Sequence, residues 1–568
     1  MFEQLKFHQA LSFALLIAGL AWLLAREVDC DLPPIRDLSI DSLQEFLSNG
    51  SFTSEDIVQT YLARIAEVNP TIRSVIEINP NAIQEARDLD RERQRKGRRS
   101  ELHGIPILVK DSINTDGMNN SVGSFCLLGS RAKDEASVIT RLRAAGAIIL
   151  GKSNMSQWGN SRSSAKTTSN GWSSVGGQTY GVYCHHQDPC GSSSGSAVSM
   201  ALGLAAGTVG VETVGSITCP AMRSNLVSIK TTAGLVARDN VIVTKLRGSV
   251  GPITKTVKDA AIMLKFMAGQ SPDDPLSSRI PFETIPDYAK SCKLNGLAHS
   301  RLGVPRNNAE NPFAATMNLT VVMESFNRVL DIIKETGATI IDNANYSAYE
   351  QVNADDAPQQ LLGPSEYKFD MENYFRSLEV NPKNILTMKD LIACTKSLPE
   401  KEYPSRDTAY WEFASNAADF ESPEMVEAVE RMRYLGGPGG IDGALDAAGA
   451  DALIFPSVCS SDVPGLVGYP VICVPLGFMP EGTAEKRNPR GNLVEEAAGI
   501  PFGISFIGRP YSEQKLIELA YSFEKLTQIG LQRKPVVLPS ADPCSLVRRR
   551  RVLFQMLSGI SPWKLFEF

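Results

Sequence analysis

The sequence predicts an α/β fold, and three observations carry that prediction. From Gly104 onward short β-rich runs alternate with helical stretches: "GIPILVK", "ASVITRLRAAGA", "AIILGKS", then "GSAVSMALGLAAGTVGVET". The strand-like pattern resumes from Ala452 with "ALIFPS", "YPVICVPLGF" and "IPFGISFIG", and the helical "SEQKLIELAYSFEKLT" follows. No internal repeat or low-complexity tract interrupts these runs, so the 568-residue chain reads as one large domain rather than several. Its composition, 43 % hydrophobic and 21 % charged, is that of a folded globular protein with a sizeable core.

The elements follow in order. Ala10 to Ala25 is an uncharged apolar run between Lys6 and Arg26. It is short for a span of about 20 residues and long enough for a signal-peptide core. Residues 1–33 are therefore expected to be a signal peptide or a membrane anchor, with a buried helix as the third option. After Pro33-Pro34, apolar residues recur at helical spacing from Ser39 to Val68, and "SFTSEDIVQTYLARI" opens on hydroxyl residues followed by acids, as a capped helix does. Residues 300 to 440 look mostly helical and irregular, with helices expected at Met317 to Thr336 and Pro423 to Tyr434. This motif-poor stretch suits a substrate-facing region. Residues 34–540 make up the expected domain, and 541–568 form a tail of unassigned role.

Several signals exclude function classes. The net charge of −6 offers no general attraction for nucleic acid, and the Arg548 to Arg551 tetrad reads as a solvated terminal segment. Ten cysteines are too sparse for a disulfide scaffold, and Cys184, His185, His186 and Cys190 fit no zinc spacing; they read as loop residues, with no metal and no cofactor implied. Sequons stand at Asn49, Asn318 and Asn345.

Two motifs match by letter and fail by context. Gly146 to Ser153 satisfies the P-loop expression, but its variable positions, "AIIL", read as a strand where a phosphate-cradling loop is required. Gly191 to Gly195, "GSSSG", satisfies the nucleophile-elbow expression around Ser193. An elbow follows a buried strand and needs a later histidine; here a polar loop, "CHHQDPC", precedes it, and downstream only His299 remains of five histidines.

A serine nucleophile can instead use a lysine whose amine loses its proton near neutrality. Lys110 closes the apolar run "GIPILVK", a place where a charge is expensive. A second turn, "VETVGSITCPA", sets Ser216 behind Gly215 among backbone N–H groups able to cradle an oxyanion.

Taken with "GKSNMSQWGN", "GWSSVGGQTY", "DPCGSSSGSAV" and "GSVGPITKTVKDAA", these runs resemble the amidase signature family of serine hydrolases, especially its free-standing fungal, plant and bacterial amidases. The resemblance spans about residues 35 to 535. It implies a single domain with a central mixed sheet flanked by helices on both faces. It also implies a Ser-cisSer-Lys triad of Lys110, Ser192 and Ser216, with a cis peptide at Gly191-Ser192 and oxyanion contacts from Thr213, Val214 and Gly215. The implied substrate is a small-molecule carboxamide or N-acyl amide, cleaved through an acyl-enzyme, with fungal secondary metabolism as one setting. Three positions depart from the family pattern. Val214 replaces an aspartate, Thr231 a proline, and Gly248 stands where an aspartate often precedes Ser249. A catalytically impaired member that binds a ligand or partner is therefore the alternative. Further branches are a membrane-associated lipid amidase and the family's tRNA amidotransferase component. A secretory location, secreted or anchored through residues 10–25, is the expected setting.

Overall fold

The alternation of apolar runs and helical stretches becomes one mixed sheet of eleven strands in the computed structural model, which describes residues 34–310, 316–354 and 357–542. In chain order the strands are β1 (Val75–Ile78), β2 (Pro106–Lys110), β3 (Ile148–Ser153), β4 (Gly207–Glu212), β5 (Val227–Lys230), β6 (Ser249–Thr254), β7 (Arg301–Val304), β8 (Thr339–Asp342), β9 (Ala452–Pro456), β10 (Val471–Phe478) and β11 (Pro501–Ile507). Across the sheet they run β1-β3-β2-β4-β6-β5-β10-β11-β9-β7-β8. The helices used below are α1 (Ile40–Ser48), α2 (Ser54–Ile72), α3 (Ser137–Ala144), α4 (Ser194–Leu202), α5 (Thr218–Arg223), α6 (Leu319–Glu335), α7 (Pro358–Ser377), α8 (Ala409–Ser415), α9 (Pro423–Gly436) and α10 (Glu513–Thr527).

Local chemistry sets many of these boundaries. The Ser39 hydroxyl accepts from the Ser42 N–H at 3.1 Å to cap α1. At α2 the Thr53 hydroxyl accepts from the Asp56 N–H at 3.1 Å while the Asp56 carboxylate accepts from the Thr53 N–H at 2.9 Å, a reciprocal capping box. The expected helical region from Ser39 to Val68 is thus two helices, because "NGSFT" between them supplies a turn and, in Thr53, a new cap.

Every residue of β2, β3 and β4 is buried, which requires cover on both faces of the sheet. These three strands are parallel neighbours, joined through α3 and α4. Their carboxyl ends therefore lie on one edge of the sheet, where α/β folds place their ligands. Lys110 ends β2 and Glu212 ends β4, so the topology delivers both charges to that edge.

The motif-poor middle differs in part from expectation. α6 and α9 fall where helices were expected, but β7 and β8 also lie here and pair in parallel at the sheet margin. Each has only four residues, "RLGV" and "TIID", too few to show a two-residue alternation. Two disulfides, Cys126–Cys394 and Cys190–Cys219, are present among the described residues, so the sparse cysteines still cross-link the chain. The apolar run at Ala10 to Ala25, the Arg548 to Arg551 tetrad and the tail from 543 lie outside the described residues. No helix among the described residues is long and apolar enough to cross a membrane.

Candidate active site

Lys110, Ser192 and Ser216 meet at the carboxyl edge of the sheet. The Lys110 Nζ lies 2.8 Å from Ser192 Oγ and 3.0 Å from the Val211 carbonyl oxygen, which accepts from it. Ser192 Oγ lies 3.1 Å from Ser216 Oγ. Lys110 and Ser192 are buried, at 1 % and 2 % exposure, whereas Ser216 is partly open. The Gly191-Ser192 peptide is cis.

Burial drives the Lys110 amine from 10.5 down to about 7, and the nearby Glu212 carboxylate opposes that shift. An amine of this kind is part neutral at neutral pH. With its lone pair free, it can accept from the Ser192 hydroxyl, which can in turn accept from Ser216.

Two backbone segments hold the serines. The Ser192 loop runs directly into α4, and the Ser194 hydroxyl donates to the Cys190 carbonyl at 2.6 Å. The Ser193 N–H donates to the Ser216 carbonyl at 3.0 Å, which ties the two segments together. The Cys190–Cys219 disulfide ties them a second time, from two residues before Ser192 to three residues after Ser216. Gly195 lies so close to the neighbouring chain that an added Cβ would stand 2.3 Å from both the Asn154 and Ser74 carbonyl oxygens.

Ser216 follows Gly215, whose φ of 76° places it in the left-handed region that glycine tolerates. The Glu212 carboxylate, 1 % exposed, organises the turn: it accepts from the N–H groups of Gly215 at 2.9 Å, Ile217 at 2.6 Å and Thr218 at 2.8 Å. The Gly215 N–H is thereby committed to Glu212. The N–H groups of Thr213, Val214 and Ser216 donate to no acceptor among the described residues. The Val214 side chain packs toward Gly465, where an added Cβ would stand 2.6 Å from it. At Gly248 an added Cβ would meet Val243 at 2.2 Å and the Thr244 carbonyl at 2.5 Å, so no aspartate fits this backbone.

Two cavities meet at Ser216. One, of about 240 Å³, has Lys110, Ser192, Trp158, Ile242, Tyr367 and Tyr410 in its wall. The other, of about 320 Å³, includes Asp188, Gly191, Gly215, Cys219, Arg223 and Glu495. Helix α7 turns Gly363, Tyr367 and Met371, spaced four apart, toward the first, and α8 adds Tyr410. The motif-poor middle therefore builds one wall of the site.

Other residues conspicuous in the sequence have structural places. Ile148–Ser153 of the P-loop look-alike is β3. Ser193 is fully buried; its hydroxyl donates to the Val211 carbonyl and accepts from the Val211 N–H, each at 3.2 Å, so it braces β4. Cys190 of the cysteine and histidine cluster is disulfide-bonded, while the His185 and His186 rings lie 3.9 Å apart beside Tyr180. Glu212 was missed from sequence, although it ends the apolar run "GTVGVE" just as Lys110 ends "GIPILVK". Arg247 was missed as well, and it carries no local pattern that sets it apart.

A family model described as Amidase matches residues 56–517. A protein of Arthroderma benhamiae named as an amidase is 40 % identical, over 90 % of this chain and 89 % of its own. One of Arabidopsis thaliana, also named as an amidase, is 33 % identical over 88 % of this chain and 91 % of its own. Among solved structures, the native peptide amidase from Stenotrophomonas maltophilia superposes with a TM-score of 0.77 at 33 % identity, covering 89 % of this chain and 99 % of that one.

Proposed function

The chain belongs to the amidase family, and from that premise we propose that it hydrolyses the C–N bond of a carboxamide or N-acyl amide through an acyl-enzyme on Ser216. The observation that carries this reading is the unbroken run of contacts from Lys110 Nζ to Ser192 Oγ at 2.8 Å and on to Ser216 Oγ at 3.1 Å, ending on an amine that titrates at about 7. Neutral Lys110 draws a proton from Ser192, which takes one from Ser216 as Ser216 Oγ attacks the amide carbonyl carbon. The oxyanion that forms is held by backbone N–H groups drawn from Thr213, Val214 and Ser216, since Glu212 already occupies that of Gly215. Ser192 returns a proton to the departing nitrogen, the C–N bond breaks, and an ester to Ser216 remains. Water then adds to the ester by the same relay and releases the carboxylic acid.

The test is release of ammonia or amine from a panel of primary, aryl, peptide and fatty amides by protein lacking residues 1–33, with Ser216→Ala as control. Turnover and fluorophosphonate labelling that both vanish in Ser216→Ala are expected. No turnover and no labelling in either protein would overturn the reading. The rival, a ligand-binding member without turnover, is favoured by Val214 in place of aspartate. Saturable amide binding that is unchanged in Lys110→Ala and unaccompanied by product would select it. Some similar proteins, such as one of Chloroflexus aurantiacus at 28 % identity, are named as components of a glutamyl-tRNA(Gln) amidotransferase. The matching fungal and plant proteins named as amidases, at higher identity, support the free-standing reading.

For location we propose passage through the secretory pathway. Two disulfides among the described residues support an oxidising compartment, and Asn49, Asn318 and Asn345 are all exposed. N-terminal sequencing of the mature protein, with and without glycosidase treatment, tests it. An intact Met1 on unglycosylated protein in the cytosolic fraction would sink it.

A further inference from the structure

The cavity on the Lys110 side holds one full charge that the proposed reaction does not use. Arg247, in the turn before β6, lines this cavity together with Trp158, Ile242, Tyr367, Met371 and Tyr410. Its side chain is 7 % exposed, and its counter-ion, Glu366 of α7, is 1 % exposed. The pair is single-contact: only Nε reaches Glu366, at 3.2 Å. Nη1 approaches the Gly465 carbonyl at 3.5 Å and the Met432 sulfur at 3.7 Å, both at the weak limit, and Nη2 has no acceptor among the described residues. A guanidinium has five N–H donors, and here the two on Nη2 lack an acceptor among the described residues and the two on Nη1 have only long contacts, which leaves them available to a ligand oxygen in the cavity that Arg247 lines.

The charge around Arg247 narrows what that ligand can be. Glu366 accepts from the Leu246 N–H at 2.9 Å as well as from Arg247, and it already neutralises the guanidinium. A carboxylate brought into this site would leave a net negative charge out of water. A neutral carbonyl oxygen accepts from Nη2 and Nη1 and adds no charge. The aromatic and apolar wall around it suits a hydrophobic substituent beside that carbonyl. We infer that Arg247 is a specificity-determining residue that donates to a second, neutral carbonyl oxygen of the substrate, so that the preferred substrates are carboxamides carrying an additional acyl carbonyl and an apolar side group. The choice of ligand class rests on the amidase reading above.

The experiment reads binding on full-length Ser216→Ala protein by calorimetry, so that the ligands stay intact. N-acetylphenylalaninamide carries the second carbonyl; hydrocinnamamide has the same aromatic carboxamide skeleton without it. The first is expected to bind at least about tenfold more tightly, as a hydrogen bond to a charged donor gives. Arg247→Met combined with Glu366→Gln removes both charges at similar volume, and the ratio is expected to collapse toward one. Arg247→Lys keeps the ion pair, removes the guanidinium fork and is expected to lower the ratio as well. A ratio near one with Arg247 in place, or a ratio that either variant leaves unchanged, overturns the inference. A purely structural role would weaken both ligands alike and leave the ratio where it was. Selective binding by Ser216→Ala together with no hydrolysis by the parent protein would defeat the amidase reading alone.

Discussion

Replacing Lys110 by methionine removes the buried amine and keeps an unbranched chain of similar length. In the folded protein this amine titrates at about 7, against 10.5 for a free lysine. Between those two values the unfolded chain binds a proton that the native protein does not, so wild-type stability rises with pH across this window. Below about 7 the full difference applies, and the native state bears a penalty of about 5 kcal/mol near pH 6. Near pH 9 the remaining penalty is about 2 kcal/mol, because the native amine is neutral and only the unfolded one still charges. Lys110→Met has no such term. It loses the contacts to Ser192 and the Val211 carbonyl at every pH, a constant offset of about 1 to 3 kcal/mol. The stability difference between variant and wild type should therefore shift by about 3 kcal/mol against the variant from pH 6 to pH 9. Urea unfolding of both proteins at a series of pH values measures it. The same titration governs activity: wild-type kcat/KM should rise about tenfold per pH unit below 7 and level off above it, while Lys110→Met should fall by about a thousandfold or more. A stability difference that does not vary with pH, or a variant that retains turnover, refutes the placement of a near-neutral amine in this site.

Two further outcomes follow from the same geometry. The Glu212 charge holds Lys110 higher than burial alone would, so Glu212→Gln should move the inflection of the kcat/KM profile to lower pH. An unchanged or raised inflection would contradict the field assigned to Glu212. Replacing Cys190 and Cys219 by serine opens a cross-link spanning 29 residues, with an expected loss of about 3 kcal/mol in thermal or urea unfolding. Because the same bond ties the Ser192 loop to the Ser216 turn, kcat should fall more than KM rises. Unaltered kcat in the serine double variant would show that the Ser193 to Ser216 backbone contact positions the pair by itself.

The helix starts show what the sequence carried. Thr53 and Asp56 are three residues apart, so their capping box is written in the order of the chain. The run "AIIL" reads as a strand from its own residues, which excludes a phosphate-cradling loop at the P-loop look-alike without reference to tertiary contacts. Lys110 at the end of an apolar run was conspicuous because a charge there must be accounted for by its surroundings. Choosing Ser192 over Ser193 drew on the family resemblance, and the geometry beside each differs accordingly: one hydroxyl faces Lys110 and Ser216, the other braces β4.

Other features depend on chain segments that meet only in the folded state. β7 and β8 are four-residue strands that exist because the sheet margin offers them partners, not because their own residues insist on it. Cys126 and Cys394 are separated by 268 residues, and nothing in either neighbourhood announces the other. Arg247 and Glu366 sit on a turn and a helix 119 residues apart, and their single contact is visible only once the fold brings them together beside the cavity that Arg247 lines. The sequence by itself determined the family pattern, the local elements and the side chains able to carry the chemistry, because periodicity, capping and turn propensity act over a few residues. Only the tertiary structure decided that Glu212 claims the Gly215 N–H, that two cavities flank Ser216, and that Arg247 keeps free donors, because burial and hydrogen-bond saturation are properties of packed neighbours.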